Sequence, residues 1–299
     1  SNVTITVNAP PTTANAGSAQ SVCTSVGTVS MAANAPSIGT GSWSQVSGPV
    51  TASIVSASSP TTTINGLTTA GTFVFRWTIS NSPCPASTSD VNVVAVGVPT
   101  SANAGPPQNA CTNPGTATMA ANDPIVGTGT WTQLSGPVSA TIVSPNAHNT
   151  GITGMTSPGN YVFRWTISNS PCTSSQSSVT ISVGAAPTTA DAGVDQTVCV
   201  SPGTTVMAAN TPGAGTGNWS QISGPLSASI ADASDPLTGV SGLSAAGTYV
   251  FRWTISSTGC SDSTDDMDIV VSASPSTADA GNDQVICATA GAATMAGNT

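Results

Sequence analysis

The chain has 299 residues, a formal net charge of −9 and 5% charged residues, and its only basic residues are Arg76, Arg164 and Arg252. So few basic residues argue against nucleic acid as a partner, and no apolar run approaches the roughly 20 residues of a membrane-spanning helix. Glutamate is absent and there is one histidine. The usual acid–base pairs of catalysis are therefore missing, and we expect a protein that is not an enzyme.

The sequence repeats itself every 88 residues. "FVFRWTISNSPC" at 73–84 recurs as "YVFRWTISNSPC" at 161–172 and "YVFRWTISSTGC" at 249–260. A unit of this size matches an independent domain. The predicted organisation is the last strand of a preceding repeat at 1–10, complete repeats at 11–98, 99–186 and 187–274, and the start of a fourth, incomplete repeat at 275–299. We interpret the chain as part of a longer polypeptide.

Within one repeat, the apolar pattern predicts about seven short strands and no helix. In chain order, strands are expected around 29–33, 42–46, 52–55 and 62–67, separated by turn signals such as "GTG", "SGP" and "NGL". The clearest strand is 73–79, where large side chains alternate with smaller or polar ones, and a further strand carries Val91, Val93 and Ala95. The pattern predicts an all-β chain of tandem immunoglobulin-like sandwiches.

The aromatic residues fall at only four positions of the repeat. We assign all of them to the core, which leaves none for an exposed sugar-binding platform. They are Trp43, Phe73, Phe75, Trp77, Trp131, Tyr161, Phe163, Trp165, Trp219, Tyr249, Phe251 and Trp253.

Each arginine faces outward if the aromatic residues beside it face the core. Folding the next strand back antiparallel sets Arg76 opposite Asp90 while the apolar faces of both strands stay on one side. Arg252 and Asp266 stand in the same relation, whereas the middle repeat has Ser178 at that place. We therefore predict cross-strand ion pairs in the first and third repeats.

Two cysteines lie 61 residues apart in each complete repeat. Regular pairs in a chain of this composition favour one internal disulfide per repeat, with bridges between repeats and free thiols as the alternatives. The predicted pairs are Cys23–Cys84, Cys111–Cys172 and Cys199–Cys260, and Cys287 is left unpaired.

The segments "ANAG" before the first cysteine, "GTGSWSQVSGP", "INGLTTAGTFVFRWTIS" and "DVNVVAV" resemble PKD-type immunoglobulin-like repeats. They resemble more closely the disulfide-bearing versions in long surface and secreted proteins of bacteria that use type IX secretion. The resemblance covers nearly the whole chain. Phe73 departs from it, because the other repeats have Tyr161 and Tyr249 there, so a tyrosine-corner hydrogen bond cannot form in the first repeat.

The resemblance implies an extracellular or cell-surface location. With the repeats, it favours a non-enzymatic structural or adhesive segment of a long tandem-repeat protein, forming a rod or filament. The alternative is an accessory array of glycan- or protein-binding modules attached to a larger secreted enzyme. The expected partners are neighbouring repeats, other copies of the same chain in a filament, and covalent glycans.

Two kinds of additional site are suggested by short patterns. Asn2 and Asn218 lie in N-linked acceptor sequences, and Ser263 lies in an Asp-Ser-Thr sequence that resembles the O-glycosylation motif of the same bacterial group. Carboxylates crowd the end of the third repeat, where they could hold calcium or simply be solvated. These are Asp262, Asp265, Asp266, Asp279 and Asp283.

Overall fold

The computed structural model describes residues 1–289 and 291–298, and within them every regular element is a β-strand. The chain forms two compact units: Ser1–Val183 holds repeats one and two, and Gly184–Thr299 holds repeat three. Residues 290 and 299 of the predicted fragment 275–299 lie outside the described residues. No helix of membrane-spanning length and apolarity occurs in the part described.

Repeat one contains seven strands in two sheets. Its larger sheet has the order β1-β7-β6-β3, and its smaller sheet has the order β2-β5-β4. The strands are β1 (Gln20–Cys23), β2 (Thr28–Ser30), β3 (Thr40–Ser47), β4 (Ser53–Ile54), β5 (Thr63–Asn65), β6 (Gly71–Asn81) and β7 (Cys84–Val96).

Repeats two and three reproduce this topology with seven strands each. In repeat two they are β8 (Gln108–Cys111), β9 (Ala117–Thr118), β10 (Thr128–Ser135), β11 (Thr141–Ile142), β12 (Gly151–Thr153), β13 (Gly159–Ser168) and β14 (Ser175–Gly184). In repeat three they are β15 (Gln196–Cys199), β16 (Thr205–Val206), β17 (Thr216–Ser223), β18 (Ser229–Ile230), β19 (Gly239–Ser241), β20 (Gly247–Ser256) and β21 (Ser263–Ser272). The predicted all-β, immunoglobulin-like sandwich is confirmed.

The core of each repeat lies between its two sheets. All twelve aromatic residues that the sequence assigns to the core are at most 3% exposed. In repeat one, Trp43 of β3 packs on Trp77 of β6 with ring centroids 5.2 Å apart, and the equivalent pairs in the other repeats have the same spacing. Gly41 makes this packing possible, because a Cβ there would overlap the ring of Trp77.

One strand pairing decides where the first cysteine of each repeat lies. β1 is short and pairs in parallel with the end of β7, so that Cys23 stands beside Val96. β15 pairs with β21 in the same way, which sets Cys199 beside Ser272. The first cysteine therefore lies at the end of the repeat where the chain leaves for the next one.

Candidate functional site at the junction of repeats one and two

A disulfide joins two successive repeats. Cys23 of repeat one is bonded to Cys172 of repeat two, 149 positions later, with the two Cα atoms 4.9 Å apart. The predicted internal pairing is therefore wrong: Cys84 and Cys199 are free thiols, and Cys111 and Cys260 are both disulfide-bonded. Cys287 is also free among the described residues. The correction covers the predicted pairs Cys23–Cys84, Cys111–Cys172 and Cys199–Cys260.

The geometry of β7 rules out the internal pairing. Cys84 is the first residue of this 13-residue strand and Val96 is its last. At about 3.3 Å per residue, the two ends of the strand are roughly 40 Å apart. Cys23 stands beside Val96, whereas a disulfide needs Cα atoms within about 7 Å of each other. Cys23 and Cys84 are thus at opposite ends of one sandwich.

The turn between β13 and β14 brings Cys172 to the end of repeat one. Its sulfur lies 3.4 Å from the carbonyl oxygens of both Val96 and Gly97. Asn169, in the same turn, donates from Nδ2 to the carbonyl oxygen of Gly97 over 2.7 Å. The end of β7 is therefore seated directly on the β13–β14 turn.

The linker that follows is held by repeat two through its backbone. Thr100 donates its amide to the carbonyl of Val126 at 3.0 Å. Its hydroxyl accepts hydrogen bonds from the amides of Ile125 and Val126 at 3.0 and 2.9 Å. These bonds fix the linker on repeat two, so the disulfide closes a junction that is already ordered by polar contacts.

The same arrangement of turn and preceding chain recurs at the head of the other repeats. In repeat one, Asn81 donates from Nδ2 to the carbonyl of Ala9 at 2.8 Å, and Cys84 Sγ lies 3.5 Å from the carbonyl oxygens of residues 8 and 9. In repeat three, Cys260 Sγ lies 3.3 Å from the carbonyl oxygen of Ala185. The contact between this cysteine and the carbonyl groups of the preceding segment therefore recurs in all three repeats.

The arginines lie on the outer face of the larger sheet. Arg76 donates to both carboxylate oxygens of Asp90, at 2.6 and 2.8 Å, in the register that the sequence predicts. Arg252 and Asp266 form an identical pair. Both pairs are about 40% exposed. The hydrogen bonds from Arg76 hold the pKa of Asp90 below its ordinary value.

The aspartates at the end of repeat three do not gather into a calcium site. Nowhere in residues 1–289 and 291–298 do three acidic, histidine or cysteine side chains gather as metal ligands would. Adjacent strand residues point to opposite faces: Asp265 accepts the amide of Ala192 at 2.7 Å, while Asp266 binds Arg252. Asp279 accepts a backbone amide within its own turn at 2.8 Å. Of the two alternatives that the sequence left open, calcium binding is not supported for the set Asp262, Asp265, Asp266, Asp279 and Asp283.

The three glycan acceptors have different surroundings. Asn2 is exposed. Asn218 is exposed on β17, an edge strand. Ser263 is half-buried, and its hydroxyl accepts the amide of Ala190 at 2.8 Å, so a glycan there would have to replace a contact that orders the start of the repeat. Glycosylation at these positions stays a prediction.

Two cavities of about 340 and 710 Å³ lie at equivalent Ser-Gly-Pro turns of repeats two and three. Their walls are residues 133–139 and 221–228, which include no titratable side chain. Gln133 braces its turn by donating to the carbonyl of Val138 and accepting the amide of Ala140, at 2.9 and 2.8 Å. The glutamine side chain of each turn is thus engaged in holding the turn itself.

Seven-stranded sandwiches in tandem, with a disulfide across the first junction, define an array of immunoglobulin-like domains. The chain belongs to the family of K319L-like PKD domains, whose model matches residues 16–95, 101–183 and 192–271. These matches fall within the three predicted repeats.

Among solved structures, the chain is similar to titin domains I67-I69 in an E-to-A mutated variant, at 12% identity and a TM-score of 0.50, covering 89% of this chain and 100% of that one. It is also similar to extracellular domains 3–5 of Drosophila OTK, at 12% identity and a TM-score of 0.42, covering 86% and 95%. The PKD domain from the KIAA 1837 protein is 26% identical over 28% of this chain and 85% of its own, with a TM-score of 0.25. The titin likeness shows the fold alone. A search of curated proteins gave no significant match.

Proposed function

We propose that this chain is a non-enzymatic structural or adhesive segment of a long extracellular tandem-repeat protein that forms a rod or filament on, or shed from, a bacterial surface. The observation that carries the proposal is the disulfide between Cys23 and Cys172. Because this bond joins two repeats, tension can pass from one repeat to the next without relying on the linker alone.

The same disulfide supports an extracellular location. Structural disulfides form and persist in oxidising compartments and are rare in reducing ones. The bacterial source and the secretion route rest on the sequence resemblance alone.

The buried aromatic residues speak against a glycan-binding array. Exposed aromatic side chains would be needed to stack on sugar rings, and all twelve in this chain are in the cores. The outer sheet faces instead carry mainly serine, threonine and asparagine, together with the arginine–aspartate pairs. A structural role therefore explains more of the molecule than an accessory role does.

Pulling on the two ends of single molecules tests the load-bearing role. In the oxidised chain, the 149 positions between Cys23 and Cys172 are bypassed by the disulfide. At about 3.4 Å per residue, the fully extended oxidised chain should therefore be shorter than the fully extended reduced chain by at least roughly 500 Å. Cys84→Ser is the matched control and should extend like the parent. Equal lengths before and after reduction would contradict the proposal.

Immunogold labelling of intact source cells with antibodies against this chain tests the location. Labelled filaments or surface labelling are expected, and labelling confined to the interior of sectioned cells would overturn the extracellular part of the proposal.

A further inference from the structure

The three arginines occupy one position of the outer sheet face, but only two of them have a carboxylate beside them. In repeats one and three, Nε and Nη2 of the arginine donate to the two carboxylate oxygens of an aspartate, at 2.6 and 2.8 Å in both cases. Within residues 1–289 and 291–298, Arg164 of repeat two is in no ion pair. The same position is therefore used for carboxylate binding in two repeats and not in the third.

The strand register around Arg164 is the same as in the other two repeats. Arg164 stands between Thr132 of β10 and Ser178 of β14, and Arg76 of repeat one stands beside Asp90 of β7. Ser178 is exposed, and its side chain is shorter than that of an aspartate. The space that the Asp90 carboxylate fills in repeat one is therefore open to solvent in repeat two, on the same outer face as the arginine.

No acidic side chain of repeat two takes the place of the missing aspartate. Asp123 is the only acidic residue between positions 99 and 186, and its carboxylate lies 3.6 Å from Nδ1 of His148. The four strands of the larger sheet of repeat two contain one cationic side chain, that of Arg164, and no anionic one. The neighbours of Arg164 on the outer face of β13 and β14 are uncharged: Val162, Thr166, Gln176, Ser178 and Thr180.

We propose that Arg164 is a binding site for a carboxylate group carried by another molecule, and that this carboxylate takes the place that aspartate has in the other two repeats. A guanidinium binds a carboxylate through two parallel N–H···O bonds, so it recognises the planar pair of oxygens as well as the charge. The hydroxyls of Thr132 and Ser178 stand at the register positions on either side, and a hydroxyl can donate to a carboxylate oxygen. This inference goes beyond the proposed structural function and does not depend on it.

The test uses the three Nε–H signals that the three arginines give in a ¹H–¹⁵N NMR spectrum of the whole chain. The signals of Arg76 and Arg252 report a guanidinium that is already bonded to a carboxylate, and Arg164→Ala identifies the third signal by removing it. Because an exposed ion pair is weak and is screened by salt, sodium acetate replaces sodium chloride stepwise at constant ionic strength. We expect the Arg164 signal to move progressively toward the other two, which stay in place.

Two exchanges of a residue between repeats provide matched controls. Ser178→Asp supplies the aspartate of the other repeats, so the Arg164 signal should start near the signals of the paired arginines and no longer respond to acetate. Asp90→Ser gives repeat one the serine of repeat two, so Arg76 should acquire the response that Arg164 shows in the parent. Each variant takes a residue that another repeat already has at this position of an exposed sheet face, so we expect both to fold.

Three results would overturn the inference. In the parent, the Arg164 signal could respond to acetate no more than the Arg76 signal does, which would show that Arg164 is not a carboxylate site. The response could persist in Ser178→Asp, which would place the bound acetate elsewhere. Arg76 could remain unresponsive in Asp90→Ser, which would show that replacing the aspartate by serine does not create a site.

Discussion

Cys172 and Cys84 occupy the same position in two successive repeats, in turns of the same sequence, yet Cys172 is bonded and Cys84 is free. The two sites have the same neighbouring carbonyl oxygens and the same asparagine hydrogen bond. The partner of Cys172 is Cys23, the cysteine that ends β1 of the repeat before it. The disulfide is therefore a property of the junction between two repeats, and a single repeat cannot form it.

The largest expected effect comes from opening the junction. Cys172→Ser removes a crosslink that closes a loop of 149 positions, and loop entropy alone puts the loss at up to about 5 kcal/mol for repeats one and two. Guanidinium unfolding followed by tryptophan fluorescence would measure it. Cys84→Ser, at the equivalent free site, should leave the transition unchanged. A similar loss in both variants would mean that the two sites do not differ as described.

Overpacking one core tests whether the repeats fold separately although they are joined. Gly41→Ala would drive a methyl group into the ring of Trp77, and we expect a loss of about 1–3 kcal/mol confined to repeat one. Gly239→Ala is the control, because no atom lies near its added Cβ. Peptide-resolved hydrogen exchange would locate the effect. Deprotection spreading equally through repeat two would contradict separate cores.

A smaller effect is expected at the tyrosine corner. Tyr161 donates its hydroxyl to the carbonyl of Ser157 at 3.0 Å, whereas the buried hydroxyl of Tyr249 has no hydrogen-bond partner in the described chain. Tyr161→Phe should cost about 1 kcal/mol, and Tyr249→Phe should be neutral or stabilising, as Phe73 in repeat one suggests. Thermal unfolding of the two variants would measure the difference. Equal losses of stability would contradict the account, because they would show that both hydroxyls are hydrogen-bonded.

The smallest effect is expected on the sheet surface. Arg76→Ala removes an exposed ion pair and should lower Tm by about 1–2 °C. Arg164→Ala, with Ser178 opposite it, should change less. Because Arg76 lowers the pKa of Asp90, the pair stabilises the fold above the ordinary pKa of that carboxyl and loses its effect as the pH falls through the lowered value. The Tm values of the parent and of Arg76→Ala should therefore converge at acidic pH. A difference in Tm that persists there would contradict the ion-pair account.

The sequence was sufficient for the sandwich, the aromatic core and the register of Arg76 with Asp90, because each depends on strong alternation along one strand or between neighbouring strands. It was not sufficient for the disulfide. With every cysteine recurring at 88 residues, pairing within and between repeats is equally regular. The deciding element is β1, a four-residue strand whose parallel partner β7 is about 70 residues away in the chain. The pattern of residues along a single strand does not predict a pairing with a strand so distant in the sequence.

The most direct test of the junction disulfide is peptide mapping of the alkylated, unreduced chain. We predict a peptide that links Cys23 to Cys172, with Cys84 recovered in alkylated form. Recovery of Cys23 linked to Cys84 would contradict the account, because it would require the two ends of β7 to lie together.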